Sequence, residues 1–210
     1  IPDDEILENL HLFITPQQIR RILFFYEIYQ EILPIPGVIM QFGVRWGREL
    51  ALFESFRTTF EPFNHSRKII GFDTFNGYFG TSEKDGNNKV IKEGNLTTSK
   101  DYENELNKIL SHREKLSPIP NIQKYKLLKG DASDTLKQYL KHNPQTVISL
   151  VHMDMNLYEP TKNCLEMVKP YLTKGSIVII DEINLAIFPG ETIALNEVFG
   201  LNNIKLRRHP

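Results

Sequence analysis

The chain has 210 residues and a mass of 24.4 kDa, which is enough for one domain with a sizeable core. Its 25 Lys and Arg residues nearly balance 26 Asp and Glu residues, and the net charge of -1 excludes a polybasic surface for nucleic acid or anionic membranes. No apolar run approaches the roughly 20 residues that a membrane span requires. The single cysteine, Cys164, excludes a disulfide framework and favours a reducing compartment, so we expect a cytoplasmic protein.

Residues 1–36 predict an N-terminal helical segment that packs on the core of the domain. Thr15 and Gln18 form a capping-box pattern around Pro16, and apolar residues at helical spacing follow as far as Pro34. The pattern is typical of one amphipathic helix. We expect any homo-oligomer to form through this helix.

From residue 37 onward, short β-rich runs alternate with stretches of helical periodicity. The predicted strands cover residues 37–43, 68–72, 126–129, 147–153 and 176–180. The predicted helices cover residues 48–59, 99–116, 134–140 and 161–172. Such alternation forms βαβ units with right-handed crossovers. We therefore predict an α/β fold, a doubly wound and mostly parallel sheet with helices on both faces, in one domain over residues 37–210.

A long segment, residues 77–98, interrupts this alternation. It contains four glycines and few large apolar side chains apart from Tyr78 and Phe79. A loop of this length inside a compact domain is either functional, as a lid or binding loop, or a plain surface insertion. The sequence leaves both explanations open.

Carboxylates follow four of the five predicted strands, at the edge where open parallel sheets bind ligands. They are Asp73, Asp131, Asp154 and the pair Asp181 and Glu182. Each aspartate has an alternative explanation as the N-cap of the following helix. Four such positions on one edge favour a binding site over four independent caps.

A glycine turn after the first strand and an aspartate after the second predict a nucleoside cofactor. Gly43 and Gly47 flank three residues where the backbone and a helix N-terminus can approach a ligand. Neither a dinucleotide fingerprint nor a Walker A loop is present, which disfavours phosphate binding. Asp73 is placed to accept both hydroxyls of a ribose. S-adenosylmethionine is a nucleoside cofactor without a pyrophosphate, and it fits these features.

The carboxylates of Asp154, Asp181 and Glu182 predict a cation site. They follow two successive strands that can be neighbours about 5 Å apart, and like charges at that distance repel unless a cation or protons intervene. Oxygen ligands without a thiolate favour Mg²⁺, with Mn²⁺ or Ca²⁺ as the next candidates. The alternative is that Asp181 and Glu182 are solvated loop acids and Asp154 is a cap.

Four stretches of the chain carry a resemblance to a known family. They are Gln41-Phe-Gly-Val-Arg-Trp-Gly47, Gly71-Phe-Asp-Thr-Phe-Asn-Gly77, Asp154-Met-Asn-Leu-Tyr-Glu-Pro-Thr161, and Gly175-Ser-Ile-Val-Ile-Ile-Asp-Glu182 followed by Phe188-Pro-Gly-Glu191. In order and spacing they resemble the macrocin O-methyltransferase (TylF-like) group of class I S-adenosylmethionine-dependent methyltransferases. The resemblance implies Mg²⁺-dependent methylation of a hydroxyl on a sugar or glycoside, in a natural product or surface polysaccharide.

The resemblance also implies roles for individual residues. The glycine turn would hold the methionine part of the cofactor, Asp73 its ribose, and Asp131 with Ala132 its adenine. The implied cofactor contacts are Gln41, Phe42, Gly43, Val44, Gly47, Asp73, Thr74, Asp131 and Ala132. Asp154 is the implied catalytic residue and, with Asp181 and Glu182, a ligand of the Mg²⁺ that would hold a small-molecule or glycan acceptor.

The chain departs from the family pattern at two positions. Gln41 stands where many class I methyltransferases have an acid near the cofactor's amino group. Asn156 replaces the second acid of the Asp-x-Asp motif, which is a proposed general base in some relatives, and an amide cannot accept a proton at neutral pH. His152 lies within the fourth strand and is interpreted as a satisfied core histidine. The sequence therefore assigns no general base.

Two alternatives and one expectation about the chain ends remain. A cephalosporin-hydroxylase-like relative shares much of this pattern and would have another acceptor or another chemistry, and a non-catalytic module that binds a cofactor is conceivable because of Asn156. The chain starts at Ile1 without a leader pattern and stops at Pro210. We expect both ends to be trimmed and the C-terminal strands of the domain to be incomplete.

Overall fold

The computed structural model describes residues 1–208 and contains a five-stranded parallel sheet. The strands are β1 Val38–Phe42, β2 Ile69–Asp73, β3 Tyr125–Lys129, β4 Ile148–Met153 and β5 Leu172–Ile180. The helices are α1 Pro16–Ile32, α2 Arg48–Phe60, α3 Tyr102–Glu114, α4 Ala132–His142, α5 Tyr158–Val168 and α6 Gly190–Phe199. The strand order is β3-β2-β1-β4-β5, and every pair is parallel. The predicted doubly wound α/β fold is confirmed; the predicted domain end at Pro210 lies outside the described residues.

The central strands are buried on both faces, and their successive side chains enter two different cores. On one face, Ile39 and Leu150 pack with the apolar side chains of α1, α2 and α3. On the other, Met40 and Val151 pack with those of α4, α5 and α6. This arrangement explains why the strands are read as continuous apolar runs. Within residues 1–208, no helix is long and apolar enough to cross a membrane.

Most predicted elements are observed, with shifts at their ends. Helix α1 begins as expected, since Thr15 Oγ1 accepts from the Gln18 amide at 3.3 Å and Gln18 Oε1 accepts from the Thr15 amide at 2.7 Å. Strand β5 begins at Leu172, which the sequence placed at the end of a helix. Helix α6 was not predicted, because its buried residues and its half-buried ones such as Ile193 leave no regular polar face.

A buried arginine joins the end of α1 to the sheet. Arg67 is 2% exposed, and its guanidinium donates to the carbonyl oxygens of Ile32 at 3.0 Å and Gly37 at 2.9 Å. It also donates to Ser149 Oγ at 2.7 Å and forms an ion pair with Glu61 at 2.9 Å. These contacts satisfy orphan carbonyls at the helix end and fix α1 against β1 and β4.

We expect Arg67→Met to lower the free energy of unfolding by about 3 to 5 kcal/mol, because it leaves a partly buried carboxylate and several carbonyls without their donor. Urea unfolding measures the change. The control is Arg20→Met, at an exposed position of α1, which should change stability by less than about 0.5 kcal/mol. A loss below about 1 kcal/mol for Arg67→Met would contradict this role.

Glu54 of α2 is a buried acid whose pKa is raised to about 7, mainly by burial and further by the charge of Glu114. The guanidinium groups of Arg57 and Arg113 only partly offset this, although Arg113 Nε lies 3.3 Å from Glu54 Oε2. Because the pKa is higher in the folded chain than in the unfolded one, folding favours the protonated acid. Its contribution to stability is complete below the unfolded pKa and is lost as the pH rises through 7.

The variant Glu54→Gln is uncharged at every pH, so its stability relative to the wild type should increase between pH 5 and pH 8, by at most about 1.4 kcal/mol per pH unit. Denaturant unfolding at several pH values tests this. Glu166→Gln, at an exposed position of α5, is the control and should show no such trend. A stability difference that is constant with pH for Glu54→Gln would show that Glu54 is ionised throughout.

Candidate active site

A cavity of about 350 Å³ opens at the carboxyl edge of the sheet. Residues that end or follow all five strands contribute to its wall: Gly43, Val44, Asp73, Thr74, Asp131, Ala132, Asp154, Asp181 and Glu182. Its volume is in the range of small-molecule sites. The structure therefore brings together most of the residues that the sequence singled out.

Three of the proposed cofactor residues do not line this cavity. Gln41 and Phe42 are fully buried within β1, where Phe42 stacks on Phe72 with ring centroids 4.5 Å apart. Gln41 Nε2 donates to the carbonyl of Gly43 at 3.0 Å, so it braces the turn from below. Gly47 precedes α2 with φ of 78°, and a Cβ there would collide with Leu106. Gln41 and Gly47 therefore shape the turn, and other residues of that turn, Gly43 and Val44, line the cavity.

The turn after β1 passes unusually close to the end of β4. Gly43 has φ of 85°, and a Cβ at this position would lie 2.0 Å from the carbonyl oxygen of Asp154. No side chain fits in that space, and the positive φ is also strained for any residue other than glycine. Gly43 therefore permits the contact that places the glycine turn beside Asp154.

Asp73 holds the glycine turn through its carboxylate. Oδ2 accepts from the amides of Val44 at 2.6 Å and Arg45 at 2.7 Å, and Oδ1 accepts from the amide of Phe75 at 2.6 Å. Each oxygen of an ionised carboxylate has two lone pairs, so Oδ2 is fully used by its two amides and Oδ1 keeps one lone pair for a ligand hydroxyl. Asp131 Oδ1 meanwhile accepts from the first-turn amides of α4, so Asp131 caps that helix as well as lining the cavity.

Two carboxylates meet at the other end of the cavity. Asp154 follows β4 and Asp181 follows β5, the neighbouring strand. Burial raises the pKa of Asp154 to about 7, and the charge of Asp181 adds to the effect. Burial also acts to raise the pKa of Asp181, but the facing His152 and the guanidinium groups of Arg21 and Arg48 hold it below its usual range. Ionising both acids at once is costly without a cation.

Arg21 of α1 reaches into this acidic end. Its Nε donates to Glu49 Oε1 at 2.7 Å, and its Nη2 lies 3.8 Å from Asp154 Oδ2. Glu49 is in the first turn of α2 and is itself 4% exposed. The N-terminal helix thus supplies a positive charge to the site, an arrangement that no local motif indicates.

His152 points toward the same two acids. It is fully buried, and neither ring nitrogen has a hydrogen-bond partner of acceptable geometry among the described residues. One ring nitrogen and one carboxylate oxygen each from Asp154 and Asp181 lie within 4.8 Å of one another. His152 is buried as the sequence suggests, but it faces Asp154 and Asp181 and forms no well-aligned hydrogen bond. Glu182 lines the cavity, but its carboxylate does not belong to this close group.

Glu191, in the first turn of α6, connects the loops that carry these acids. It is fully buried, and its Oε1 accepts from the amides of Met155 at 3.1 Å and Asn156 at 2.9 Å. Its Oε2 accepts from the amide of Glu182 at 3.2 Å. Burial raises the pKa of Glu191 to about 7 despite these three donors. One side chain thus sets the position of the loop after β4 relative to the loop after β5.

The long segment 77–98 forms one wall of the cavity. Tyr78 Oη accepts from Asn156 Nδ2 at 2.8 Å. Farther along the segment, the buried carboxylate of Asp85 accepts from the amide of Tyr158 at 2.5 Å, at the start of α5. Lys84 donates to Tyr158 Oη at 2.8 Å. The segment is anchored at both the cavity and α5.

Sequence reasoning missed several of these residues for identifiable reasons. Glu191 lies in a stretch that carried the family resemblance, but no spacing rule predicts that it faces the loops after β4 and β5. His152 stands two residues before Asp154, a spacing that puts both on the same side of a strand. That signal was present and could have identified His152 as a neighbour of Asp154.

The class of the protein follows from a family comparison. A family model described as a methyltransferase domain (Methyltransf_24) matches residues 50–183. The chain belongs to this family, and its sheet with helices on both faces is a Rossmann-like class I methyltransferase fold. The matching family model is described only as a methyltransferase domain. The narrower resemblance to the macrocin O-methyltransferase group therefore stays a prediction.

Three solved structures of methyltransferases are similar to this chain. A structure of CalS11, described as a calicheamicin methyltransferase, has 41% sequence identity and a TM-score of 0.98, and the match covers 100% of this chain and 82% of that one. An apo structure of CalS11, described as a TDP-rhamnose 3'-O-methyltransferase in calicheamicin biosynthesis, has 40% identity, a TM-score of 0.88 and coverage of 100% and 83%. The O-methyltransferase NovP shares the fold, with 20% identity, a TM-score of 0.63 and coverage of 85% and 70%. No curated protein matches the chain. The chain is an enzyme of the O-methyltransferase class.

The contacts of Glu191 predict a graded loss of stability. In Glu191→Gln, one carboxylate oxygen becomes an NH₂ group, which cannot accept from the backbone amide that it faces. In Glu191→Ala, all three backbone amides lose their acceptor. Each buried donor left unpaired costs about 1 to 3 kcal/mol. We expect both variants to unfold at lower urea concentration than the wild type, with Glu191→Ala the less stable. The exposed Glu166→Gln should be unchanged, and equal stability of Glu191→Ala and the wild type would contradict the bridging role.

Proposed function

We propose that this protein transfers the methyl group of S-adenosylmethionine to a hydroxyl of a sugar or glycoside, with a divalent cation at Asp154 and Asp181. The observation that carries the proposal is one cavity of about 350 Å³ whose wall includes Asp73 and Asp131 as well as the acidic pair Asp154 and Asp181. The similarity to CalS11, described as a TDP-rhamnose 3'-O-methyltransferase, supports a sugar acceptor.

The residues present fit the nucleoside end of the cofactor. The glycine turn leaves room for close backbone approach at Gly43, and Asp73 is fixed by three amides with one lone pair of Oδ1 still free for a ribose hydroxyl. Asp131 and Ala132 line the cavity at the start of α4, where we place the adenine. When bound, S-adenosylmethionine supplies an electrophilic methyl group on a sulfonium.

The residues at the acidic end fit a divalent cation. Asp154 carries a pKa raised to about 7 because burial and Asp181 oppose its ionised form, and a cation would relieve that cost. The sequence predicts Mg²⁺ and adds Glu182, which lines the same cavity, as a third ligand. A bound cation supplies charge that lowers the pKa of an acceptor hydroxyl. Asp154 is the proposed catalytic residue because it would hold the cation that binds the acceptor hydroxyl.

Asn156 has an orienting role in this proposal. Its side-chain amide cannot accept a proton, but it donates to Tyr78 Oη, and its own backbone amide is held by Glu191. Asn156 therefore joins the segment 77–98 to the acidic end of the cavity. We propose that this pairing helps close the acceptor site against water.

Three further statements keep the status of predictions. They are the cytoplasmic location inferred from the single cysteine, the homo-oligomer contact through α1, and the division into an N-terminal segment 1–36 and a domain from residue 37. The exposed side chains of Ile19, Ile22 and Leu23 on α1 agree with such a contact.

The direct test is product mass with S-adenosylmethionine, Mg²⁺ and a panel of nucleotide sugars and glycosides that includes TDP-rhamnose. We expect an acceptor to gain about 14 Da, and we expect EDTA to abolish turnover. A gain of about 16 Da would instead indicate hydroxylation, as the cephalosporin-hydroxylase-like alternative requires. No product with any acceptor from either class would contradict the proposed substrate.

Cofactor binding can be tested separately by isothermal titration with S-adenosylhomocysteine. We expect the wild type to bind and Asp73→Asn to bind at least about tenfold more weakly, since one charged acceptor is lost. Asp134→Asn, also an aspartate at the start of a helix but absent from the cavity wall, is the control and should bind like the wild type. Unchanged affinity in a folded Asp73→Asn variant would contradict the ribose role.

A further inference from the structure

The imidazole of His152 faces Asp181 closely enough to lower the pKa of that acid, but it forms no well-aligned hydrogen bond within the described residues. The imidazole is fully buried in β4, and its ring meets Phe25 edge to face at 5.2 Å between centroids. Neither nitrogen forms a hydrogen bond of acceptable geometry within the described residues. A buried polar group without a partner costs free energy, so the site favours a ligand that the imidazole can bind.

The geometry of the neighbours fits a metal ion. His152 and Asp154 are two residues apart in and just after β4, so both side chains lie on the same side, and Asp181 follows the adjacent strand. Their donor atoms lie within 4.8 Å of one another. Two ligands at about 2.0 to 2.2 Å from one ion are at most about 4.4 Å apart. The spacing of the three donor atoms is therefore close to what a three-ligand site requires.

The chemistry of this donor set differs from that of a site made of carboxylates alone. An imidazole nitrogen with two carboxylates suits ions of the first transition row, whereas Mg²⁺ prefers oxygen ligands and gives up its waters reluctantly. With Glu182 outside the close group, the compact set contains one nitrogen donor and two oxygen donors. The nitrogen donor therefore decides which ion the site prefers.

We propose that His152 is a direct ligand of the cation and that the site selects Mn²⁺ or a similar transition-metal ion over Mg²⁺. This inference rests on the cation of the proposed function and deepens it by naming the third ligand and the class of ion. It also accounts for a buried imidazole that forms no well-aligned hydrogen bond. In this assignment His152 is neutral and binds the ion through one ring nitrogen.

The test measures metal binding to the full chain. Isothermal titration with Mn²⁺ and with Mg²⁺ should give a clear preference for Mn²⁺ in the wild type. We expect His152→Gln to weaken Mn²⁺ binding at least about tenfold and to weaken Mg²⁺ binding much less, because only the transition ion gains from the nitrogen. The matched control is His65→Gln, at an exposed loop position, which should keep the wild-type ratio.

A spectroscopic measurement shows directly whether a histidine nitrogen binds the ion. Pulsed electron paramagnetic resonance of the Mn²⁺-loaded wild type should show coupling to a directly bound histidine nitrogen, and ¹⁵N-labelled histidine should change it. The coupling should persist in His65→Gln. Absence of coupling in the Mn²⁺-loaded wild type, or an unchanged Mn²⁺ to Mg²⁺ ratio in a folded His152→Gln variant, would overturn the proposal.

Failure of this inference can be separated from failure of the proposed function. Nitrogen coupling without methyl transfer to any sugar would support His152 as a ligand and contradict the sugar assignment. Methyl transfer that requires a divalent ion but shows no nitrogen coupling would contradict only His152. A folded wild type that binds neither ion would overturn both the ligand assignment and the cation of the proposed function.

Discussion

The approach of Asp154 and Asp181 is the constraint on which the rest of the site depends. Neighbouring parallel strands lie roughly 4.8 Å apart, so acids that follow β4 and β5 are brought together by the sheet itself. Burial of Asp154 and the charge of Asp181 oppose the ionised form of Asp154, and its raised pKa reflects that cost. The guanidinium groups of Arg21 and Arg48 offset part of this repulsion.

The groups that shape this acidic end come from distant parts of the chain. Arg21 is carried by α1, which Arg67 fixes to the sheet through the carbonyls at the end of the helix. Glu191 belongs to α6 and holds the loops after β4 and β5 through three backbone amides. The N-terminal helix and the last described helix therefore both contribute to an acidic centre built on the middle of the sheet. This dependence connects stability to function, because loosening α1 or α6 would also displace charges at the site.

The fold and the edge that carries the site could be predicted from the sequence because both follow from local patterns. Alternating strand and helix signals define a parallel sheet, and residues after the strands must share its carboxyl edge. Contacts between remote elements have no such signature, so Arg21 and Glu191 were not predicted. His152 was interpreted from its position inside a strand, although its two-residue spacing from Asp154 placed it beside the acids. Gln41 and Phe42 were assigned to the cofactor by family likeness, whereas the structure places both in the buried strand beneath the turn.

The central claim is that one cavity holds a nucleoside cofactor at one end and a divalent ion between Asp154 and Asp181 at the other. Anomalous diffraction from crystals grown with S-adenosylhomocysteine and Mn²⁺ tests it most directly. We expect one manganese peak within bonding distance of both carboxylates, and the nucleoside beside Asp73 in the same cavity. A manganese peak elsewhere on the protein, or a nucleoside bound away from Asp73, would contradict the account.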